Sequence, residues 1–143
     1  MRKIIICLLM LFILTGCQSK DEYFTKTCET KVKSETLNIK ETKEITYNNK
    51  DEVTRVIISR SYIDKNNKSS VSSIKKAATD YNNELAEASA VKIRVLTDSD
   101  DEYKIQYDLD VQKLDSLQLE MFGLDKNAIK YFKKLKKDGI ECK

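Results

Sequence analysis

The sequence contains no histidine and no tryptophan among its 143 residues. Without histidine, neither a Ser-His-Asp nor a Cys-His catalytic arrangement can be built, and histidine metal sites are excluded as well. A cysteine zinc site is disfavoured because the chain has no Cys-x-x-Cys spacing. We therefore expect no metal site, no cofactor and no histidine-based enzyme.

Proline is absent too, and glycine occurs only three times, at Gly16, Gly123 and Gly139. The two glycines beyond residue 16 cannot form a Gly-rich loop that binds phosphate. The turns must then depend on Asn, Asp, Ser and Lys, of which Asn and Asp tolerate left-handed backbone conformations.

The chain begins with two positive residues, Arg2 and Lys3, followed by an apolar run over residues 4–14. Eleven residues are too few for a membrane-spanning helix, which takes about 20. They match the apolar part of a secretory signal, and Thr15 and Gly16 supply the small residues that precede a cleavage site. Residues 1–16 are therefore predicted to be a signal peptide.

The segment Leu14-Thr15-Gly16-Cys17 resembles the lipobox of bacterial lipoproteins. The resemblance implies that Leu14, Thr15 and Gly16 are recognised by the signal peptidase and that Cys17 carries a diacylglyceryl group with fatty chains such as palmitate. Two acyl chains hold a protein on a bilayer where one barely does. We expect a lipid-anchored extracytoplasmic protein with a tether at 17–22 and one domain at 23–143. The alternative is an apolar anchor that merely contains a cysteine.

The formal net charge of +3 comes mainly from the predicted signal. Residues 1–16 hold two of the 26 basic residues and no acidic one, so the remainder carries 24 basic and 23 acidic residues. A near-neutral mixed surface does not favour nucleic-acid binding.

Four cysteines are present, and two of them remain after the signal and the lipid site are set aside. Cys7 lies in the predicted signal and Cys17 in the lipobox. An extracytoplasmic domain with two further cysteines, Cys28 and Cys142, is expected to join them in one disulfide. Two unpaired thiols are the alternative.

Alternating and Thr-rich stretches predict an α+β domain with an antiparallel sheet of about five strands and two covering helices, in the order β-β-β-α-β-β-α. The first three strands should form a meander with a turn at 48–51, and the third should lie near the middle of the sheet. A hairpin turn is expected at 98–101. The predicted strands are 23–32, 35–47, 53–62, 91–95 and 103–109.

The first predicted helix follows a polar loop at 64–70 and has Ser69, Ser70 or Ser72 as candidate N-caps. Its apolar face recurs at helical spacing, through Ile74, Ala78, Tyr81 and Leu85. Residues 114–124 allow a short helical or irregular stretch.

The last predicted helix has Asp125 as a candidate N-cap and ends at Gly139. Its predicted apolar stripe consists of Ala128, Ile129, Phe132 and Leu135. The helix also carries five lysines: Lys130, Lys133, Lys134, Lys136 and Lys137. We expect them to form a solvated face that complements the negative end of the helix dipole. Contact with anionic lipid or wall polymer is the alternative.

Two further features are interpreted as structural. The acidic run 98–102 lacks the glycine and the final glutamate of an EF-hand loop, so a solvated hairpin turn is preferred to a calcium site. Tyr103, Ile105, Tyr107 and Leu109 share one strand face and are expected in the core rather than on a ligand platform.

The run "DEYKIQYDLDVQKLDSL" at 101–117, the ending "DGIECK" and a cysteine in the first strand are similar to small, uncharacterised YehR-like bacterial lipoproteins. The similarity covers about residues 23–143. It implies an α+β domain without an established activity and contributes no catalytic residues.

The sequence therefore favours a membrane-anchored, non-catalytic domain that binds an envelope protein, a polymer or a small ligand. One alternative is a hydrolase of the cell envelope that uses two carboxylates. Another is a purely structural envelope protein.

Overall fold

The computed structural model describes residues 20–33, 37–64, 68–85 and 88–143. A 3₁₀ turn at Val111–Lys113 follows the last strand. The strands and helices, in chain order, are β1 (Tyr23–Lys33), β2 (Asn38–Asn48), β3 (Val53–Ile63), α1 (Lys68–Leu85), β4 (Val91–Asp98), β5 (Glu102–Asp110), α2 (Ser116–Phe122) and α3 (Ala128–Lys137).

The five strands form one antiparallel sheet in the spatial order β1-β2-β3-β5-β4. The α+β class, the opening meander and the central position of β3 are confirmed. Because β4 and β5 form a hairpin and β5 pairs with β3, β4 becomes an edge strand. The predicted start of the second strand at residue 35 lies outside the described residues.

The described residues contain three helices, one more than the two predicted; the additional helix, α2, lies within 114–124, where a short helical or irregular stretch was expected. Helix α2 begins with a capping box, in which Asp115 accepts from the amide of Gln118 and the Gln118 side chain accepts from the amide of Asp115. It ends at Gly123, whose left-handed backbone (φ 65°) suits a residue without a Cβ. These local signals stabilise a helix of only seven residues.

The core lies on one face of the sheet, beneath the helices. Strand β5 alternates strictly, with Tyr103, Ile105, Tyr107 and Leu109 all buried, as expected. From β3, Val56 and Ile58 meet the same core. The opposite face of the sheet carries mostly polar side chains and is called the open face below.

Both predicted turns are present. In the first, the side chain of Asn48 accepts from the amides of Lys50 and Glu52, and Asp51 takes the left-handed conformation (φ 60°). In the second, the amide of Ser99 donates to the carbonyl of Glu102 and closes the hairpin at 98–101.

Helix α1 packs on the core through the predicted face, in which Leu85 is buried and Ile74, Ala78 and Tyr81 are partly buried. The prediction of Ser69, Ser70 or Ser72 as its N-cap was wrong. The helix begins at Lys68, so all three serines lie inside it. The segment just before it, 65–67, is outside the described residues.

Helix α3 is capped by Asn127, whose side chain accepts from the amide of Lys130. The predicted cap, Asp125, was wrong; it accepts from the amide of Asn127 instead and shapes the turn before the helix. The predicted end is confirmed, since Gly139 follows the last turn with a left-handed backbone (φ 76°).

The predicted apolar stripe of α3 was partly wrong. Ala128 and Leu135 are buried and Phe132 is partly buried, but Ile129 is 62 % exposed. Tyr131 is fully buried in its place. The start of α3 is tied to the turn after β2, because Asn127 pairs with Glu52 and the amide of Ala128 donates to the carbonyl of Asp51. In this position the helix directs Tyr131 toward the sheet.

In the described part of the chain, no helix is both long enough and apolar enough to cross a membrane.

Candidate functional site

Three charged side chains lie on the helix-covered face of the sheet, among core residues. Strand alternation places Glu41 and Lys43 on the same face as buried Ile45 of β2, and Arg60 on the same face as buried Ile58 of β3. The register sets Glu41 directly opposite Arg60. We call Glu41, Lys43 and Arg60 the charged triad.

Glu41 is shared between the two cations of the triad. Arg60 donates from Nε to Oε2 of Glu41, and Lys43 Nζ lies 3.4 Å from Oε1. The side chains of Arg60, Glu41 and Lys43 are only 30 %, 20 % and 12 % exposed. Two cations and one carboxylate give this half-buried site an excess of one positive charge.

Glu41 and Arg60 remain ionised despite their burial. Burial opposes the charged form of Glu41, but the hydrogen bond and charge of Arg60, with the charge of Lys43, outweigh it and hold the pKa of Glu41 below its ordinary value. In the same way, burial is outweighed by Glu41 at Arg60, whose pKa is raised. Each partner therefore stabilises the other's charge.

Arg60 forms part of the floor of a groove of about 360 Å³ between α1 and the sheet. The wall on the α1 side includes Ala77 and Ala78, whose small side chains leave space above β3. Tyr62, Tyr81 and Tyr107 contribute aromatic rings to the lining. The groove thus combines a cation at its floor with apolar and aromatic walls, the usual composition of a small-ligand site.

Tyr107, in the lining of the groove, is a neutral hydrogen-bonding group at ordinary pH. Burial raises the pKa of Tyr107 to about 12, although the charge of Arg60 acts in the opposite direction. The Tyr107 hydroxyl donates to Oδ1 of Asn82 on α1, at 3.2 Å. This bond fixes one wall of the groove.

Tyr131 of α3 places another hydroxyl near the triad. Its side chain is fully buried, and its pKa is raised by burial and then by the charge of Glu41. The hydroxyl has no hydrogen-bond partner among the described residues. A buried donor without an acceptor lowers stability. Packing of the ring therefore does not explain why a hydroxyl is present beside Glu41.

The open face of the sheet holds a larger depression of about 550 Å³, lined in part by Arg55, Lys92, Asp108 and Asp110. Arg55 binds Asp108 through two parallel bonds of 2.8 and 2.7 Å, and these bonds lower the pKa of Asp108. Asp110 lies 2.7 Å from the ammonium of Lys113. Each carboxylate here already has a cationic partner.

Cys28 and Cys142 form a disulfide-compatible pair, with their sulfurs 2.03 Å apart. The chain after α3 returns to β1, where Thr27 and Lys143 exchange two backbone hydrogen bonds of 2.8 and 2.9 Å. Cys28 and Cys142 lie opposite each other, one residue along from the pair of Thr27 and Lys143. Their backbones are not hydrogen-bonded to each other, and in an antiparallel ladder such pairs bring their side chains closest together.

The structure describes only some of the predicted site residues. Cys17 and its recognition residues Leu14, Thr15 and Gly16 lie outside the described residues. The acidic run 98–102 is a hairpin turn, and no group of three or more metal-ligating side chains occurs within the described ranges. The lysines of α3 lie on its exposed side.

Sequence reasoning missed the charged triad. The sequence does contain a signal for it, because residues two apart in a strand lie on the same face. Arg60 shares a face with Val56 and Ile58 in this way, and Glu41 shares one with Ile45. A charged residue at a core-facing position of a strand is unusual enough to mark a site.

No protein-family model matches the chain, and no curated protein matches it either. A solved structure does: the NMR structure of a protein from Streptococcus pneumoniae TIGR4 superposes with a TM-score of 0.56 and 18 % sequence identity. The match covers 91 % of this chain and 90 % of the other. At that identity the likeness extends to the fold alone, which the two chains share over nearly their whole length.

Proposed function

We propose that the protein is a lipid-anchored extracytoplasmic lipoprotein whose domain binds a ligand. The lipobox at 14–17 and the preceding signal-like segment support the location. The disulfide-compatible pair of Cys28 and Cys142 agrees with an oxidising compartment. In this proposal the pair is bonded in the cell.

The ligand site is the groove between α1 and the sheet. The observation that carries this proposal is the geometry of Arg60, which bonds Glu41 through Nε alone. Within the described ranges, no acceptor engages its two terminal nitrogens, which suit two oxygens of one anionic group. The excess positive charge of the triad favours such a group.

The chemistry of the groove indicates the class of ligand. A carboxylate or phosphate would meet Arg60, and an apolar or aromatic body would lie against Ala77, Ala78 and the tyrosine rings. The site is too small for a folded protein, so a small molecule or the end of a chain is the natural occupant.

Binding fits the site better than hydrolysis. A general acid of the glycosidase type needs a carboxyl group whose pKa is raised. The pKa values of Glu41 and Asp108 are both lowered by their arginine partners, so these carboxylates stay ionised and serve to position cations.

The anchor is tested in a bacterial host by metabolic labelling with an alkyne fatty acid. Wild type should take up the label, and Cys17→Ala should lose it and remain unprocessed. Cys7→Ala is the matched control, because its cysteine lies inside the predicted signal and should leave labelling intact. Labelling of Cys17→Ala at the wild-type level would contradict the lipoprotein proposal.

The groove is tested by calorimetric titration with phenyl phosphate, which joins an anion to an aromatic ring. Arg60→Gln should weaken binding at least about tenfold, the loss expected for a charged hydrogen bond. Arg60→Lys keeps the charge without the planar fork and should bind at an intermediate level. Arg55→Gln, on the open face, should bind as wild type; equal loss in Arg55→Gln and Arg60→Gln would contradict the groove assignment.

A further inference from the structure

Helix α3 carries five lysines and no acidic residue between Ala128 and Lys137. Each of the five is exposed, and none pairs with a carboxylate among the described residues. Helical geometry directs Lys130, Lys133 and Lys137 straight away from the sheet, because the buried side is centred on Ala128 and Leu135. We call Lys130, Lys133 and Lys137 the lysine face.

The helix dipole explains only part of this charge. Lysines near the last carbonyls, such as Lys137, complement the negative end of the helix. Lys130 lies in the first turn, where the dipole disfavours a cation. Its position calls for a different explanation.

One exposed apolar side chain of α3, Ile129, flanks the lysine face at its N-terminal end, and another, Phe24, lies on β1. Ile129 is 62 % exposed and Phe24 is 41 % exposed. Phe24 belongs to the α3 side of the domain, since its ring contacts Tyr47 at 5.6 Å and Tyr47 contacts Phe132 of α3 at 5.4 Å. Lysines beside exposed apolar side chains are typical of surfaces that meet lipid headgroups.

The chain leads toward Cys17 from this same end of the domain. The amide of Asn49 donates to the carbonyl of Glu22, at 3.0 Å, and the amide of Ala128 donates to the carbonyl of Asp51, at 2.8 Å. The turn at 49–51 therefore joins the start of β1 to the start of α3. The five steps from Cys17 to Glu22 span at most about 18 Å, so a lipid on Cys17 keeps this end close to the bilayer.

The acidic groups around α3 do not cancel its charge. Asp138 and Glu141 follow the helix at the end far from the anchor. Near the anchor, Asp21 is paired with Lys50 at 2.9 Å and Glu52 accepts from the side chain of Asn48. Three further acids lie at the start of α3: Glu22 is exposed, Asp51 is in the adjoining turn, and Asp125 accepts from the amide of Asn127. The surface of α3 itself stays positive.

We propose that the lysine face, with Ile129 beside it, rests on an anionic lipid bilayer. The inference depends on the lipid anchor at Cys17 proposed above. Anionic headgroups attract lysines that lie within a Debye length of the surface, about 8 Å at physiological salt. The tether keeps the start of α3 within reach of the surface, and the attraction then orients the domain once the lysines approach the headgroups.

The test uses the full lipidated protein reconstituted into vesicles of phosphatidylcholine, with or without about 30 % phosphatidylglycerol. Lysines are labelled with an amine-reactive reagent and quantified by mass spectrometry. With phosphatidylglycerol, labelling of the lysine face should fall at least about threefold, and about 1 M salt should restore it. Lys92 and Lys104, on the open face, are internal controls and should label equally in both vesicles.

Two variants sharpen the result. In Lys130→Gln/Lys133→Gln, the protection of Lys137 by phosphatidylglycerol should disappear, whereas Lys92→Gln/Lys104→Gln should retain it. Equal labelling of the lysine face in both vesicle types would overturn the inference, and so would protection of Lys92 instead. Failure of the wild type to float with pure phosphatidylcholine vesicles would overturn the anchor proposal, and the inference with it.

Discussion

Strand β3 carries two arginine–carboxylate pairs, one on each face of the sheet. On the open face, Arg55 holds Asp108 through both of its carboxylate oxygens, and the arginine side chain is 55 % exposed. On the helix-covered face, Arg60 bonds one oxygen of Glu41 and Lys43 lies beside the other. The first pair is complete and solvated, whereas the second is half-buried and carries a surplus positive charge.

The same two chemical groups thus serve different purposes in two environments. An exposed pair contributes about 0–1 kcal/mol because water solvates both partners whether or not they meet. A buried pair requires desolvation of both charges, and apolar residues of similar size are often more stable in its place. Stability alone therefore does not explain the charged triad, and binding a ligand in the adjoining groove would explain it.

The largest expected effect on stability comes from removing the Cys28–Cys142 pair, which lies on the helix-covered face. The Cys28–Cys142 pair joins the chain after α3 to β1 across 114 residues. The double change Cys28→Ser/Cys142→Ser should lower the free energy of unfolding by about 4 kcal/mol, since a bridge of this length restricts the unfolded chain strongly. Urea unfolding monitored by circular dichroism measures it.

Reduced wild type is the control for that change and should behave like the double variant. If oxidised wild type, reduced wild type and the variant all unfold at the same urea concentration, the pair adds nothing to the free energy of unfolding and the prediction fails.

The two ion pairs are compared directly by neutral substitutions of equal size. Glu41→Gln leaves Arg60 and Lys43 without their counter-charge; loss of one partner of a fully buried pair costs about 3–5 kcal/mol, and partial exposure reduces our expectation to about 2 kcal/mol. Asp108→Asn should cost less than about 1 kcal/mol. Urea unfolding at pH 7 measures both, and equal losses would remove the distinction between the two faces.

The pH dependence of stability should separate Glu41 from its glutamine variant. Because the pKa of Glu41 is lower in the folded than in the unfolded protein, its ionisation stabilises the fold fully above the unfolded value of 4.5. This contribution is lost as the pH falls through the lowered folded value. The stability gap between wild type and Glu41→Gln should therefore be largest near neutral pH and close in acid.

Unfolding curves from pH 7 down to about pH 3 provide the measurement, since this interval spans the ordinary titration of carboxylates. A gap that stays constant over the whole interval would mean that the charge of Glu41 is not what stabilises the triad.

Two buried tyrosines should give small effects of opposite sign. Tyr131→Phe removes a buried hydroxyl without a partner among the described residues and should raise the free energy of unfolding by about 1 kcal/mol. Tyr107→Phe removes the bond to Asn82 and should lower it by a similar amount. Thermal unfolding of both variants suffices, and a loss in Tyr131→Phe would show that its hydroxyl is satisfied.

Periodicity accounts for most of the fold that could be predicted. The alternation at Tyr103, Ile105, Tyr107 and Leu109 specified both a strand and its buried face, because a strand has only two faces. On α3, one helical turn offers several rotations that differ by a single residue. The sequence favoured Ile129, and packing against the sheet buries Tyr131 instead.

The candidate groove could be predicted only in part. Strand alternation marks Arg60 as a charged residue that faces the core, since it lies two residues after Ile58. No local pattern specifies that Glu41, 19 positions earlier, lies opposite it. That pairing depends on the register of β2 against β3. The space above β3 depends in turn on where Ala77 and Ala78 of α1 come to rest, which is a matter of tertiary packing.

The most direct test of the groove is NMR of the arginine side chains during titration with phenyl phosphate. Binding in the groove should shift the guanidinium signals of Arg60, together with the methyl signals of Ala77 and Ala78, and leave those of Arg55 unchanged. A shift of Arg55 without Arg60 would place the ligand on the open face and contradict the assignment of the helix-covered face as the binding site.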